Sequence, residues 1–385
     1  MDQYYDFNLR PQELGRYARQ MSMPELGAAG QHRLRGGSVL CIGAGGLGSP
    51  ALMYLAAAGV GRIGIVDADT VEHSNLHRQL LYTDVQIGRK KADAARERLQ
   101  AINPHVEVSS YPQRFTAQNA AGLLGEYDVI VDGSDNFATR YLTSDVATWL
   151  KKPNIYGSVM KFDGQVTVFA PHLGGPCYRC FLPQPPAPGA VPNCAESGVL
   201  GILPGIIGLL QATEAIKLLT GLGEPLIGRF VHFEALSMRF REFKLRRDPD
   251  CAVCGERRTI TEPIDYDAWC GAADACELKQ HGMTVQELDQ ILQNPPANFL
   301  LLDVREPFEV DLASIHGARC IPLGNLPMQM DNLPKDYLIA VHCKSGGRSA
   351  KAVELLRSHG FSNVQNVIGG IHRWSQEIDP TVPAY

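Results

Sequence analysis

The run Ser38-Val-Leu-Cys-Ile-Gly43 is short, apolar and closed by glycines, a pattern that predicts a buried strand. An Ala-rich stretch with helical spacing runs from Leu47 to Gly59, and Arg62-Ile-Gly-Ile-Val-Asp67 predicts a second strand. Strand, glycine turn, helix and strand in that order make a βαβ unit. Residues 88–102 carry a helical pattern, Val106–Ser110 predicts a strand, and Tyr127–Asp132 predicts another that ends in acidic residues. Alternation of this kind predicts an α/β fold: a Rossmann-like, mostly parallel sheet with helices on both faces. Five prolines between Leu182 and Pro192 forbid regular structure there. The apolar stretch Gly198–Leu210, broken by four glycines and Pro204, is too short to span a bilayer and predicts the entry of a buried helix.

From about Gly282 a new pattern begins. Thr284-Val-Gln-Glu287 has capping-box spacing. Strands are expected at Phe299–Asp303 and Leu338–His342, then a glycine loop and a helix over Ser349–His359. The expected organisation is a first domain over 10–258, a linker over 259–282 and a smaller α/β domain over 283–385. The charged stretch Arg239–Arg258 leads into the linker, which contains Cys270 and Cys276.

Length and composition narrow the function. A chain of 385 residues, 45% hydrophobic and 20% charged, suits two or three ordinary globular domains. A net charge of −5 argues against a nucleic-acid partner held by a broad basic face. The opening MDQYYDFNLR has no basic cap before an apolar run, so neither a signal peptide nor a membrane partner is expected. Without an export signal, ten cysteines suggest metal ligands or reactive thiols in a reducing cytoplasm more than disulfides.

Gly43-Ala-Gly45-Gly46-Leu-Gly48 fits the GxGxxG pattern directly after a strand, and Asp67 closes the next strand. Backbone amides and the helix N-terminus then hold phosphate, and the carboxylate takes ribose hydroxyls. On that pattern alone an NAD-dependent oxidoreductase is the default. The residues around it favour ATP: Ser74-Asn75-Leu76-His77-Arg78-Gln79 supplies an amide and a guanidinium, Lys91 opens a helix, and Arg16 and Arg19 precede the strand. Transfer at an α-phosphate needs such cations to neutralise charge as pyrophosphate leaves. Asp132 and Asp135 lie where an open α/β sheet builds its site, and one carboxylate is available to Mg²⁺.

Cys177-Tyr-Arg-Cys180 and Cys251-Ala-Val-Cys254 are two CxxC knuckles. Together they predict a closed, structural Cys₄ zinc site; a thioredoxin-like redox pair is the weaker alternative. Cys194, in Pro192-Asn-Cys-Ala-Glu-Ser-Gly198, is either a small buried hydrophobe or a thiolate at a helix start. In Val341-His-Cys343-Lys344-Ser345-Gly346-Gly347-Arg348-Ser349 a strand ends in a cysteine and a helix opens after glycines. Amides turned inward, the helix dipole and nearby Lys344 and Arg348 favour a nucleophilic thiolate. Only four residues separate Cys343 from Arg348, a cradle better sized for a sulfur anion than for the tetrahedral phosphate of a cysteine phosphatase. His342 is expected to be a strand residue more than a base.

GAGGLGSP, VDADTVEHSNLHRQ, GRKKA and DGSDN resemble the adenylation domain of the MoeB/ThiF family, relatives of ubiquitin-activating enzymes, over about residues 10–247. The resemblance implies ATP held by Gly46, Asp67, Ser74–Arg78 and Lys91, with Asp135 as the Mg²⁺ carboxylate and Asn136 beside it. It implies a homodimer in which Arg19 reaches the partner's site, and a Cys194 that attacks or resolves an acyl intermediate. Residues 283–385 resemble a single rhodanese module through Asp303-Val-Arg-Glu-Pro and CKSGGRS. That segment departs from the usual GHIPGA, reading Ala313-Ser-Ile-His-Gly-Ala318, which puts packing in question more than chemistry. The two resemblances imply one reaction sequence. ATP activates the C-terminal glycine of a ubiquitin-like carrier of MoaD or ThiS type ending in Gly-Gly. A Cys343 persulfide, loaded from thiosulfate or a cysteine desulfurase, then delivers sulfur, in molybdopterin synthesis or another sulfur-insertion route. An NAD-dependent oxidoreductase with an appended rhodanese and a non-catalytic rhodanese scaffold are the remaining alternatives.

Overall fold

The structure is a computed structural model and describes residues 9–186, 198–270 and 282–383. They form two compact units that divide between Cys270 and Gly271.

The first unit is built on eight strands: β1 (Ser38–Ile42), β2 (Arg62–Val66), β3 (Glu107–Tyr111), β4 (Val129–Asp132), β5 (Asn154–Met160), β6 (Asp163–Phe169), β7 (Arg229–Glu234) and β8 (Arg239–Lys244). Their order is β3-β2-β1-β4-β5-β6-β7-β8. Strands β1 to β5 pair in parallel, and β5 to β8 continue as an antiparallel meander. Every residue of β1 and β4 is buried, as expected of central parallel strands covered on both faces. On one face Leu52, Leu55, Leu99, Leu203 and Ile207 form the core, supplied by helices Gly48–Ala58, Lys91–Ile102 and Leu203–Thr220. On the other, Tyr127, Tyr141, Tyr156, Phe169 and Tyr178 pack together. The strand order reverses at β1, so a crevice opens beyond the carboxyl ends of β1 and β4, where sheets of this kind build their sites.

Two stretches behave differently from their sequence pattern. Arg239–Lys244, the start of the charged run, is not a lead into a linker; it forms the edge strand β8, exposed at every residue. Its charges sit where an edge strand needs them to discourage further pairing, and Phe240 holds it down by stacking on Phe233 at 4.5 Å. Residues 266–269, inside the expected linker, form a short helix on the first unit. Tyr266 donates to Asp145 at 2.9 Å, and Trp269 meets Tyr141 edge-on at 4.6 Å.

The second unit has four parallel strands, β9 (Phe299–Asp303), β10 (Arg319–Cys320), β11 (Leu338–His342) and β12 (Val364–Asn366), in the order β10-β9-β11-β12. The capping box at Thr284 and Glu287 is formed. The Ala313–Ala318 segment packs through Ala313 and Ile315, both buried in the core, and the Ala313 carbonyl accepts from Arg305 at 2.8 Å. No described helix is long and apolar enough to cross a membrane.

Candidate functional sites

The glycine turn sits in the crevice at the strand-order reversal. Gly43 takes φ +89°, and a Cβ there would lie 3.0 Å from the Gly133 carbonyl beyond β4. At Gly48 a Cβ would fall 2.1 Å from the Gly43 carbonyl. The turn therefore closes only with glycine at these two positions. From β2, Asp67 accepts the Ala44 amide at 2.8 Å, and burial pushes its carboxyl above the ordinary range. The Tyr82 hydroxyl donates to the Ala44 carbonyl at 2.9 Å.

The 74–78 segment folds back over this turn. Arg78 lies beside Gly46, its Cδ 3.7 Å from where a Cβ would stand, and the amide of Gln79 lies 3.6 Å from the same point on Gly45. Asn75 fixes both: its Oδ1 accepts from Arg78 at 2.9 Å and from Gln79 at 3.1 Å. The Ser74 carbonyl accepts from Arg78 at 3.0 Å and lies 3.1 Å from His77 Nδ1, while Leu76 packs into the core. Lys91, almost fully buried, reaches Asp69 at 3.1 Å. Beyond β4, Asp132 is buried with its Oδ1 on the Ser134 amide and hydroxyl, and Asp135 and Asn136 are exposed. Asn136 accepts from the Thr139 amide and caps the next helix. Residues 43–48, 67 and 74–79 are thus tied to one another by close contacts around the turn, and Lys91 joins them only through Asp69, whose amide donates to Asp67 at 2.9 Å. Arg16 is not among them: it donates to the Ile102 carbonyl at 2.9 Å and closes a helix end. Arg19 is exposed at the end of the first helix. Cys194 lies outside the described residues.

The four knuckle cysteines, 74 residues apart in pairs, meet in one cluster. Cys177 and Cys251 sulfurs are 3.4 Å apart, Cys180 and Cys254 3.4 Å, and Cys177 and Cys180 3.8 Å. Tetrahedral ligation at about 2.3 Å places sulfurs about 3.8 Å apart, so the donor set fits a metal ion. Hydrogen bonds from neighbouring thiols, Cys177 first, hold the Cys251 thiol far below its ordinary value. Arg179, inside the first knuckle, makes a buried bidentate pair with Asp145 at 2.8–3.0 Å and lies over the Trp269 ring at 4.2 Å. All eight described cysteines are free of disulfides.

In the second unit Cys343 follows β11 and is buried. Its sulfur accepts from the Gly346 amide at 3.2 Å and the Ser349 hydroxyl at 3.3 Å. Gly346 takes φ +97° to turn that amide inward. Lys344 and Cys343 carbonyls are held by the amides of His372 and Ile371 at 3.0 and 2.9 Å. Two features depart from the sequence expectation. The Arg348 guanidinium forms a bidentate pair with Glu309 at 2.5 and 2.7 Å, so its charge is matched there. Ser349, one residue beyond the expected loop, contacts the sulfur; its place directly after Arg348 was the only signal. Glu309 lies 39 residues from Arg348, and no spacing pattern joins them. His342 is a buried strand residue whose pKa burial pushes down to about 4.

Fold and sites define a two-part α/β protein: a Rossmann-like unit with a clamped glycine turn and a four-sulfur knot, then a small unit presenting a thiol on an amide-lined loop. The chain belongs to the ThiF family, which residues 17–253 match, and residues 284–377 match the rhodanese-like domain. It is 44% identical to the probable adenylyltransferase/sulfurtransferase MoeZ of Mycobacterium tuberculosis, over 98% of this chain and 96% of that one. It is 40% identical to the adenylyltransferase and sulfurtransferase MOCS3-1 of Zea mays, over 99% of this chain and 85% of that one. The sulfur carrier protein adenylyltransferase of Thermus thermophilus is 54% identical over 68% of this chain and 97% of its own length. Among solved structures, E. coli MccB with ATP has the same fold, with a TM-score of 0.55 and 21% identity over 65% of this chain and 76% of that one.

Proposed function

We propose that this chain adenylates the C-terminal carboxylate of a small sulfur-carrier protein and then replaces the activated oxygen with sulfur carried on Cys343. The observation that carries the reading is the pairing on one chain of two sites. One is a glycine turn with Arg78 beside it and Lys91 buried on Asp69, which lies close to Asp67 in the chain; the other is a buried thiol held by an amide and a hydroxyl. Relatives named for both activities match nearly the whole chain.

ATP would lie across the Gly43–Gly48 turn, with Asp67 towards the ribose and Ser74–Arg78 and Lys91 towards the phosphates. Asp135, with Asn136 beside it, would hold Mg²⁺, which offsets triphosphate charge when bound. The carrier carboxylate attacks the α-phosphate; pyrophosphate leaves, and an acyl adenylate remains. A free carboxylate is a poor acyl donor because hydroxide would have to leave, whereas AMP leaves readily. The terminal sulfur of a Cys343 persulfide then attacks that carbonyl and AMP departs. Cys194 is proposed to free the thiocarboxylate by thiol exchange on the acyl disulfide: the S–S bond to the acyl sulfur breaks, a Cys194–Cys343 disulfide forms, and an external dithiol reductant restores both thiols. The knot of Cys177, Cys180, Cys251 and Cys254 is proposed to hold Zn²⁺ as a structural clamp, since no position is left for water. Exposed Arg19 is proposed to act across a homodimer.

The test incubates the protein with Mg-ATP, thiosulfate and candidate carriers ending in Gly-Gly. Pyrophosphate release and the oxygen-to-sulfur mass change of the carrier are followed. In Cys343→Ala adenylation should persist and sulfur transfer stop. A protein that ignores ATP and binds nicotinamide dinucleotides would overturn the reading.

A further inference from the structure

The Arg348–Glu309 pair bears on which sulfur donor the second unit accepts. Glu309 belongs to the short helix Pro307–Leu312 and is almost fully buried. Its Oε2 accepts both Arg348 and, at 3.0 Å, the Glu306 amide. Its backbone carbonyl accepts from Arg305 at 3.1 Å, and Arg305, with no exposed surface, is itself anchored on Asp303 at 2.9–3.0 Å. The carboxylate is therefore fixed at both ends, and it presents both oxygens to the planar fork of Arg348. That fork is the group best shaped to grip a multiply charged oxyanion. Its charge is matched by Glu309, while the Gly346 amide and the Ser349 hydroxyl donate to Cys343.

We propose that Glu309 is a specificity-determining residue: by matching the charge of Arg348 it disfavours oxyanion donors such as thiosulfate and leaves a loop suited to alkyl or protein persulfides. The inference rests on the reading of Cys343 as a sulfur carrier. In the favoured step the Cys343 thiolate attacks the outer sulfur of R–S–SH. A new S–S bond forms at Cys343, the R–S bond to that sulfur breaks, and R–S⁻ leaves with the electron pair. The proton stays on the transferred sulfur.

The experiment compares loading of Cys343 from thiosulfate and from 2-hydroxyethyl persulfide, which carries no oxyanion, as kcat/KM, in the full chain. Alongside, alkylation of Cys343 by anionic iodoacetate and neutral iodoacetamide is compared by peptide mass spectrometry. Glu309→Gln should raise thiosulfate relative to persulfide about fivefold, the effect of one charge near the loop, and raise the iodoacetate-to-iodoacetamide ratio likewise. Arg348→Gln should move both ratios the opposite way. A purely structural role would slow all four reactions together and leave both ratios unchanged in both variants, which overturns the proposal. Should Glu309→Gln not fold, Arg348→Gln and the double variant decide: restoration of the wild-type ratios in the double variant supports the proposal, and no restoration overturns it. If the wild-type protein takes sulfur from neither donor, the sulfurtransferase reading fails, while the alkylation ratios still decide the part played by Glu309.

Discussion

His342 ends β11 with its ring fully buried and neither ring nitrogen hydrogen-bonded among the described residues. The carboxylate nearest to it, Asp303, lies 3.6 Å away and is already taken by Arg305. Burial is the largest influence on the ring and lowers its pKa from 6.5 to about 4. In the unfolded chain the ring takes up a proton as the pH falls through about 6.5, whereas the native ring stays neutral until about 4. The contribution is therefore complete above pH 6.5 and is lost as pH falls towards 4. A slope of roughly 1.4 kcal/mol per pH unit over that window amounts to about 3 kcal/mol. Carboxylates add their own pH dependence, so the informative quantity is the difference from His342→Leu, which has no proton to gain. Hydrogen exchange of β9 and β11 peptides against urea, at pH values from 4 to 7, reads the stability of the second unit alone. Wild type should lose about 3 kcal/mol more than the variant between pH 6.5 and 4. A difference that stays constant across that range would refute the argument that burial holds the ring neutral.

Replacing Arg179 with Met strands the buried Asp145 carboxylate with, among the described residues, the Tyr266 hydroxyl alone; urea unfolding of the first unit should show a loss of about 3–5 kcal/mol, and Asp145→Asn in the same chain should recover part of it. Gly48→Ala forces a Cβ to within 2.1 Å of the Gly43 carbonyl; the turn must shift, costing about 1–3 kcal/mol, and pyrophosphate exchange should fall far more than persulfide formation on Cys343. With zinc bound, Cys177, Cys180, Cys251 and Cys254 should resist alkylation until a chelator is added, one metal being released per chain; alkylation of all four in the metal-loaded protein would sink the structural-site reading. Arg78→Ala should lower adenylation by about 10²-fold and leave Cys343 loading unchanged, measured on the same preparation.

Much of the fold and of both sites was legible in the chain itself. The run from Ser38 to Asp67 dictates strand, turn, helix and strand because each local demand agrees: apolar β-branched residues for buried strands, and glycine where a Cβ has no room. Strands Phe299–Asp303 and Leu338–His342 form over the expected residues for the same reason. Two CxxC pairs suffice to favour a four-sulfur cluster over a redox pair, because two knuckles together supply the four thiolates of a closed tetrahedral site. What the sequence left undetermined are the partners of side chains across long separations. Arg348 and Lys344 both looked like cations for the thiol loop. Arg348 is matched by Glu309, and Lys91 rests on Asp69, because only the folded backbone brings those groups within reach. Arg239–Lys244 read only as part of a charged stretch, because every residue of this edge strand is exposed and its charges mask any alternation. Tyr266 and Trp269 read as linker, since four residues carry no period and only the Asp145, Tyr141 and Arg179 surfaces give them a place to pack. Local propensity and steric need are written residue by residue, whereas the choice among possible hydrogen-bond and charge partners belongs to the tertiary structure that decides which of them meet.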